Sequence, residues 1–590
     1  MSNDADGIQG LVATLEPLEF AATTRLAACA CPAAFSNEAA GGTRRLGAAK
    51  TLPTLLGLAA IVGLAIVLRT IQLNESLWLD ELHTAWIVAD GSAVVSERAA
   101  IGNQASPWFF LVWGVTQVAG VNEIALRLPS VVAGVGLVVL AFHVARCWTG
   151  QWIAGLFVAL LVALDRNCIF YAQEARPYAG VQLVGLAQVF IFSRLVNQPV
   201  PLHRIAFVVL TVLLFYLHYT SVLVLAGEVA YYLALHVRRR WRPSYRWHHL
   251  LVDLSVALLC MLPAWQHIAE IASRRDNWAM FIRRGPLQSV WYLFPLYLYV
   301  QVPAQVLVVA YLVCWATRWL KGERGIRAFA GLAKLWTGDA SSGRTRAATG
   351  ARPPIATSSL LCVCWLFVPL LLAWSSTYLE FARVFFLRYL IICALAPILL
   401  CGLALAICPS RLFRTVLVGV VTWLSVTQSG MIGQYRQDGR VIGDRSQDWR
   451  SAIAMINEDT QNPHWPVFVR SGLIEAAALR SSDAPQLREY CLLPVRGIYR
   501  LQRPDDLLIP LSIHHSGRLS SRQRRRLEDS GGGWFLLAGV PSTVSSIESE
   551  LLSNWDASPY QPRIAGRRAY GNVTVLRLTV DRIPPTRDFQ

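Results

Sequence analysis

Between residues 52 and 429 the chain repeats one pattern, an apolar stretch close to twenty residues long closed off by a short polar or charged loop. A helix of that length matches the roughly 30 Å hydrocarbon core of a bilayer, which asks for about 17–25 apolar residues. The runs at 52–70, 128–146, 152–166, 178–195, 205–218, 219–237, 249–266, 288–313, 355–374, 389–408 and 412–429 satisfy it, about eleven in all. The division between 205–218 and 219–237 is blurred, because 205–237 is almost continuously apolar. Residues 107–119 are apolar but short, and read as an interfacial or partly inserted helix. Composition agrees: 54% of the 590 residues are hydrophobic and 15% charged, against about 25% charged in soluble domains. A cytosolic enzyme, a disordered chain and a disulfide-stapled secreted module are excluded. The expected fold class is a polytopic α-helical membrane protein.

The net charge of +17 resists that reading at first. A basic balance can signal nucleic acid, anionic lipid or membrane topology. Its placement decides. With the N-terminus inside, the internal loops receive Arg44, Arg45, Lys50, Arg146, Arg194, Arg204, the run Arg238-Arg239-Arg240-Trp241-Arg242, loop 314–354, and Arg411 with Arg414. The external loops hold about half as many, as the positive-inside rule requires. The expected placement is therefore multi-pass in the cell membrane with a cytoplasmic N-terminal tail (1–50) and no nucleic-acid partner. The run 52–68 lacks a small-residue cleavage site after it, so it reads as an uncleaved first span rather than a signal peptide. The twelve cysteines form no CxxC pair and show no zinc spacing, and Cys362 and Cys364 read as small core residues.

After residue 430 the chain becomes polar and mixed. Strand-like runs occur at Val467-Phe468-Val469, Leu507–Ile513, Trp534–Val540 and Val573–Val580. Between them Trp449, Ile453 and Ile456 share one helical face, and Ile547, Leu551 and Trp555 another. Residues 431–590 thus read as a small extracytoplasmic α/β domain following a transmembrane domain (51–430). Asn572-Val573-Thr574 is a glycosylation sequon by pattern.

Asp80 and Glu81 follow the first span by about ten residues, with Trp78 beside them as an interface anchor. Two carboxylates thus stand just outside the bilayer, the depth of a lipid phosphate. A solvated loop with incidental acids is the bland alternative. The stretch Asn74-Glu75-Ser76-Leu77-Trp78-Leu79-Asp80-Glu81-Leu82-His83-Thr84 resembles the first-loop signature (here loop 71–127) of the integral-membrane C-fold (GT-C) glycosyltransferases. The nearest groups are bacterial relatives of the protein O-mannosyltransferases (glycosyltransferase family 39) and of the lipid A aminoarabinose transferases. Further elements follow in order: Arg127-Leu128-Pro129-Ser130 before a Gly-rich span, Tyr171-Ala172-Gln173-Glu174-Ala175-Arg176-Pro177-Tyr178, His218-Tyr219-Thr220, and Arg388-Tyr389-Leu390. Two departures stand out. Gln104-Ala105-Ser106-Pro107 replaces a His-Pro-Pro, and Asp165-Arg166-Asn167 replaces a Ser-Pro.

The resemblance implies a polyprenyl-phosphate-linked sugar donor and a lipid, glycan or protein acceptor among membrane lipids. It implies single displacement with inversion. Asp80 would be the catalytic base, with Glu81 as a second carboxylate. Arg176, Arg388 and Tyr389 would hold the donor phosphate, and Tyr171, Glu174, His218 and Arg127 the substrate. Arginine suits phosphate because its planar fork binds two oxygens. No cofactor or metal ligand set is identified, and a divalent metal requirement stays open. Bland alternatives remain for each. Arg388 is readable as a snorkelling anchor, Arg176 as a partner of Glu174, His218 as a satisfied bundle histidine, and Arg127-Leu-Pro as a helix start with Pro129 in its first turn. Rival functions are a transporter or flippase, which demands ionisable groups deep in the spans and paired half-helices, and a non-catalytic binder of lipid-linked sugars. The enzyme reading expects Asp80, Arg176 and Arg388 to converge on one external cavity within about 15 Å.

Overall fold

A computed structural model describes residues 44–582 except 238–241, 274–281, 283, 321–354, 443–445, 481–483, 515, 554 and 556–558. Most of the N-terminal tail, of the basic run after 237 and of loop 314–354 lies outside the described residues.

Among the described residues, eight helices are long and apolar enough to cross a membrane: Leu52–Thr70, Glu123–Thr149, Tyr178–Asn197, Tyr219–Val237, Trp247–Ser273, Tyr297–Thr317, Ile355–Tyr378 and Arg411–Asp438. A ninth is counted if Trp152–Leu164 and Arg166–Ala172, bent by 61°, are one span. By that measure the sequence count of about eleven is not reached: two further runs, Pro201–Leu217 and Ile391–Ile407, form helices below spanning length. Local chemistry explains each shortfall. Asp165 interrupts its run by capping the next helix, its Oδ1 accepting from the Cys168 N–H at 2.9 Å. His218 adopts extended backbone (φ −161°, ψ 115°) and splits the long run 205–237. The tenth run opens with two 3₁₀ turns, Leu387–Tyr389 and Ile391–Ala394, before its helix forms.

The helices differ in depth. The Tyr178–Asn197 window is 72% buried within the protein and the Leu52–Thr70 window 17%, so the former is central and the latter faces lipid along most of its circumference. Gly227 permits a close crossing: a Cβ there would lie 2.8 Å from the Cys364 carbonyl oxygen. The Glu123–Thr149 helix begins earlier than the apolar run suggests. Asn122 caps it by accepting from the Ala125 N–H at 2.9 Å, so Pro129 sits inside the helix rather than in its first turn. Loop 71–127 is mostly helical, with helices Leu79–Val88, Ser92–Ile101 and Pro107–Ala119.

The C-terminal region carries a five-stranded sheet. Its strands are β1 (Val467–Arg470), β2 (Leu508–Pro510), β3 (Gly532–Ala538), β4 (Tyr560–Tyr570) and β5 (Val573–Arg582), in spatial order β2-β1-β3-β5-β4. β2, β1 and β3 run parallel, while β5 is antiparallel to β3 and β4. β4 is the strand that the apolar runs did not announce. It is an edge strand with a polar sequence, YQPRIAGRRAY, and no continuous apolar side to signal it. One face of the sheet shares a continuous apolar core with the helix bundle through Trp449, Val467, Trp534 and Val575. The other face is closed by Phe468 stacked on Phe535 (4.6 Å between centroids), with Val544, Ile547 and Leu551 from the helix Pro541–Ser553.

Candidate active site

The acidic helix Leu79–Val88 starts with Asp80 and Glu81 in its first turn, where the helix dipole favours negative charge. From there the two acids part company. The Glu81 carboxylate is sealed. Its Oε1 accepts from Arg127 Nε at 2.7 Å and from the Ala175 N–H at 2.9 Å, and its Oε2 from Arg127 Nη2 at 2.5 Å. The Glu81 and Arg127 side chains are 0% and 1% exposed. Arg127 spends its remaining donors on carbonyls of the first loop, Leu73 at 2.8 Å, Glu75 at 2.9 Å and Ser76 at 3.4 Å. The pair therefore staples the first loop to the Glu123–Thr149 helix and to the turn at Ala175, and Arg127 has no donor directed at a ligand.

Asp80 turns the other way. Its Oδ2 accepts from Arg388 Nη1 at 2.8 Å, and its side chain stays 25% exposed. Arg388 itself lies over the rings of Phe386 and Tyr389, 5.3 and 5.6 Å from their centroids. Arg176 also reaches this turn, its Nη1 3.4 Å from both the Asp80 carbonyl oxygen and His83 Nδ1. What aims Arg176 is backbone stitching. Ala175 donates its N–H to Glu81 and accepts from Thr84 Oγ1 at 2.8 Å, and Ser130 Oγ donates to the Arg176 carbonyl at 3.1 Å. The structure thus brings Asp80, Arg176 and Arg388 together at the end of the bundle that carries the sheet.

Burial opposes the charge on both arginines, but Asp80 beside Arg176, and Tyr178 with Asp80 beside Arg388, outweigh it and hold both above the ordinary arginine value. His83 moves the other way: burial first, then the Arg176 guanidinium, push it down to about 3. It is neutral at neutral pH. Because Arg176 can only donate, His83 Nδ1 accepts and Nε2 carries the proton. Both Arg176 Nε and Arg388 Nε are buried with no hydrogen-bond partner among the described residues. Two orphan cationic donors beside one carboxylate make a site suited to an anion.

A band of rings continues from this point. Tyr171 and Tyr178 are 5.0 Å apart, Tyr178 and His218 5.8 Å, and His218 and Tyr389 5.4 Å. Thr220 fixes the far end, its hydroxyl donating to the Tyr389 carbonyl at 2.8 Å and accepting from His218 Nδ1 at 2.8 Å. That leaves His218 Nε2 as the ring's acceptor. Glu174 is buried within the electrostatic reach of Arg176, Arg388 and Tyr171. Among the described residues no group of three or more His, Cys, Asp or Glu side chains could hold a metal ion.

Several contributors were not singled out from the sequence. His83, Phe109 and Tyr490 surround Arg176: its guanidinium sits 6.0 Å from the Phe109 ring, and Tyr490 packs edge-on to His83 at 5.6 Å. From the C-terminal region, Tyr499 accepts from the Leu77 N–H and donates to Glu123 Oε1, both at 2.8 Å, and Gln447 accepts from the Leu79 N–H at 3.0 Å. These satisfy amides at and before the start of the acidic helix, which its own turn leaves open. His83 lies inside the stretch Asn74–Thr84, three residues from Asp80. The partners more than 350 residues away carry no local signal at all.

No protein-family model and no curated protein matches the sequence. Among solved structures the chain is similar to ArnT from Cupriavidus metallidurans in the apo state (TM-score 0.42, 13% identity, covering 90% of this chain and 98% of that one). It is similar to the same protein bound to undecaprenyl phosphate (TM-score 0.41, 14% identity, 90% and 98%). A further likeness is to the Archaeoglobus fulgidus oligosaccharyltransferase in complex with Zn and sulfate (TM-score 0.45, 11% identity, 82% and 68%). These are likenesses of chain path at low identity, and the chemistry of the site is read from its own residues.

Proposed function

We propose that this multi-pass membrane protein is a glycosyltransferase that moves a sugar from a polyprenyl-phosphate donor to a lipid, glycan or protein acceptor on the extracytoplasmic face, with inversion. One observation carries the reading. Asp80 is a partly exposed carboxylate beside two arginines, Arg176 buried and Arg388 partly exposed, each with a buried Nε–H that has no partner among the described residues, at the end of a bundle of membrane-length helices. A sugar on a lipid phosphate offers the two things such a site answers: an anionic leaving group, and a displacement that needs a base.

In this mechanism the donor phosphate takes over Arg388, with Arg176 beside it. Asp80 is released from its ion pair and becomes free to accept the proton of the acceptor hydroxyl. The acceptor oxygen bonds to the anomeric carbon as the bond to the phosphate oxygen breaks. The arginines stabilise the phosphate as it departs. General-base assistance of this kind contributes about 10²–10⁴-fold. Glu81 and Arg127 act as a positioning pair that sets the pitch of the acidic helix. Tyr389 shapes the phosphate end of the site, while Tyr171, His218 and Glu174 line the path for the sugar. The test is Asp80→Asn in purified protein, assayed for sugar transfer from a polyprenyl-phosphate donor. Transfer at the wild-type rate would remove Asp80 from the mechanism.

A second reading has one observation in its favour. Glu228 is buried in the Tyr219–Val237 span, accepting from Gln188 Nε2 at 3.0 Å, with Gln188 also reaching Thr211 at 3.2 Å. An ionisable group at that depth is a feature of transport pathways. Substrate flux in proteoliposomes without sugar transfer would favour it.

A further inference from the structure

In an open α/β sheet, ligands bind in the crevice outside the carboxyl ends of the parallel strands, where the strand order reverses. Here the reversal falls at β1: the chain leaves β1 to build β2 on one side and later returns to build β3 on the other. An open cavity of about 310 Å³ lies at these strand ends. One wall is Ile513 and Ser516, which follow β2. The other is the exposed face of the helix Pro541–Ser553, which follows β3 and contributes Ser542, Thr543, Ser546 and Glu550. Arg470, the last residue of β1, ties the two walls together. Its Nε donates to Ser516 Oγ at 3.0 Å, and its terminal nitrogens reach the carbonyls of Ala538 and, at 3.4 Å, Ile513.

The lining has a definite chemistry. The Ser542, Thr543 and Ser546 hydroxyls both donate and accept, and Glu550 accepts from a ligand hydroxyl while repelling phosphate or carboxylate. Arg470 places three of its five N–H donors on Ser516, Ala538 and Ile513. Ile513 supplies an apolar patch. The volume lies at the small end of the range for small-molecule sites, roughly 300–1,000 Å³. A neutral, polyhydroxylated ring satisfies all of these terms at once, and an anion does not.

The strand ends also face the acidic helix. Gly472, two residues past β1, has φ +87°, and a Cβ on it would lie 3.5 Å from the Ala538 Cβ and 3.7 Å from Leu79 Cδ2. Leu79 precedes Asp80 in the chain. Resting on the transferase reading above, we propose that this crevice binds a neutral sugar unit of the acceptor, so that the acceptor is a glycan or a glycan-bearing molecule held by the C-terminal region.

The test uses the full-length protein in nanodiscs and saturation-transfer NMR. The probes are neutral methyl glycosides and disaccharides of the gluco, galacto, manno and xylo series, with glucuronate and glucose 6-phosphate for comparison. At least one neutral glycoside binds the wild type, and both anionic probes bind about tenfold more weakly or not at all. Ser546→Trp, which fills the crevice from an exposed helix position, abolishes that binding. The milder pair Ser542→Ala with Thr543→Val, which removes two hydroxyls with little change of volume, weakens it about tenfold. Asp80→Asn leaves it unchanged. In the transfer assay Ser546→Trp raises the acceptor KM and spares the donor KM. Absence of neutral glycoside binding to the wild type overturns the proposal, as does equal binding by Ser546→Trp and by the double variant. The two readings separate cleanly: if Asp80→Asn still transfers sugar at the wild-type rate, the catalytic assignment fails, while the binding comparison still decides the crevice.

Discussion

Asp80 and Glu81 are neighbours of nearly identical chemistry, and each faces an arginine. Glu81 and Arg127 form a sealed pair in which every strong acceptor and donor is spent within the protein. Asp80 and Arg388 form an open pair, a quarter to a third exposed, with an arginine Nε left over. Buried ion pairs cost so much to desolvate that removing one partner is worse than never having built the pair. Exposed pairs give little stability. The difference teaches a division of labour: one acid is committed to holding the loop, and its neighbour is left accessible, as the proposed mechanism needs.

The largest effect expected from breaking this contrast is on Asp80. Asp80→Asn should cost about 10²–10⁴-fold in sugar transfer, while thermal unfolding of the purified variant shifts by no more than ~1 kcal/mol. A variant that loses activity only because it unfolds would erase the distinction. The reverse pattern is expected across the helix. Glu81→Gln or Arg127→Ala should destabilise by about 3–5 kcal/mol, measured as a lower unfolding midpoint in chemical denaturation. If either variant is as stable as wild type, the staple is not structural.

Smaller effects sharpen the comparison. Arg388→Lys keeps the charge but loses the planar fork. It should reduce transfer about 10–100-fold, consistent with ~1.5–3 kcal/mol for a hydrogen bond to a charged group, with a rise in donor KM. Tyr499→Phe leaves the Leu77 N–H and Glu123 without that hydroxyl and should cost ~1–3 kcal/mol of stability, read by the same denaturation. A further effect concerns pH. His83 titrates near 3 in the folded chain against an ordinary value near 6.5. A depressed folded value means that its contribution is present above about pH 6.5 and is lost progressively as pH falls toward 3. Thermal midpoints taken from pH 7 to pH 4 should decline less steeply in His83→Gln than in wild type. Parallel slopes would show that His83 is not a buried neutral acceptor for Arg176.

The membrane-length helices and the small sheet region were legible because hydrophobic periodicity is a local property. Among the described residues eight helices reach spanning length, and four of the five strands coincide with apolar runs. The misreadings came where local structure overrode the pattern. Asp165 ends its helix early by capping the next one, and the 3₁₀ turns at Leu387–Tyr389 and Ile391–Ala394 shorten the tenth run, whereas the break at His218 falls where the runs 205–218 and 219–237 already divided. β4 went unannounced because an edge strand does not need an apolar face. The site was partly legible: Asp80, Arg176 and Arg388 stand in motifs with recognisable order. What each does with its neighbours was not, since Glu81 and Asp80 look alike in one dimension.

By itself, then, the sequence determined which segments form helices long and apolar enough to cross a membrane, where the chain turns polar, and which few charges stand at the ends of helices. Those follow from free energies that each stretch carries on its own, chiefly the transfer of apolar side chains out of water. Only the tertiary structure decided which acid is sealed and which stays open. It also decided that residues from Gln447 to Tyr499 complete the start of the acidic helix, and that the sheet's strand ends meet Leu79. Those outcomes depend on burial and on directed hydrogen bonds between residues hundreds of positions apart, and such terms exist only once the chain has folded.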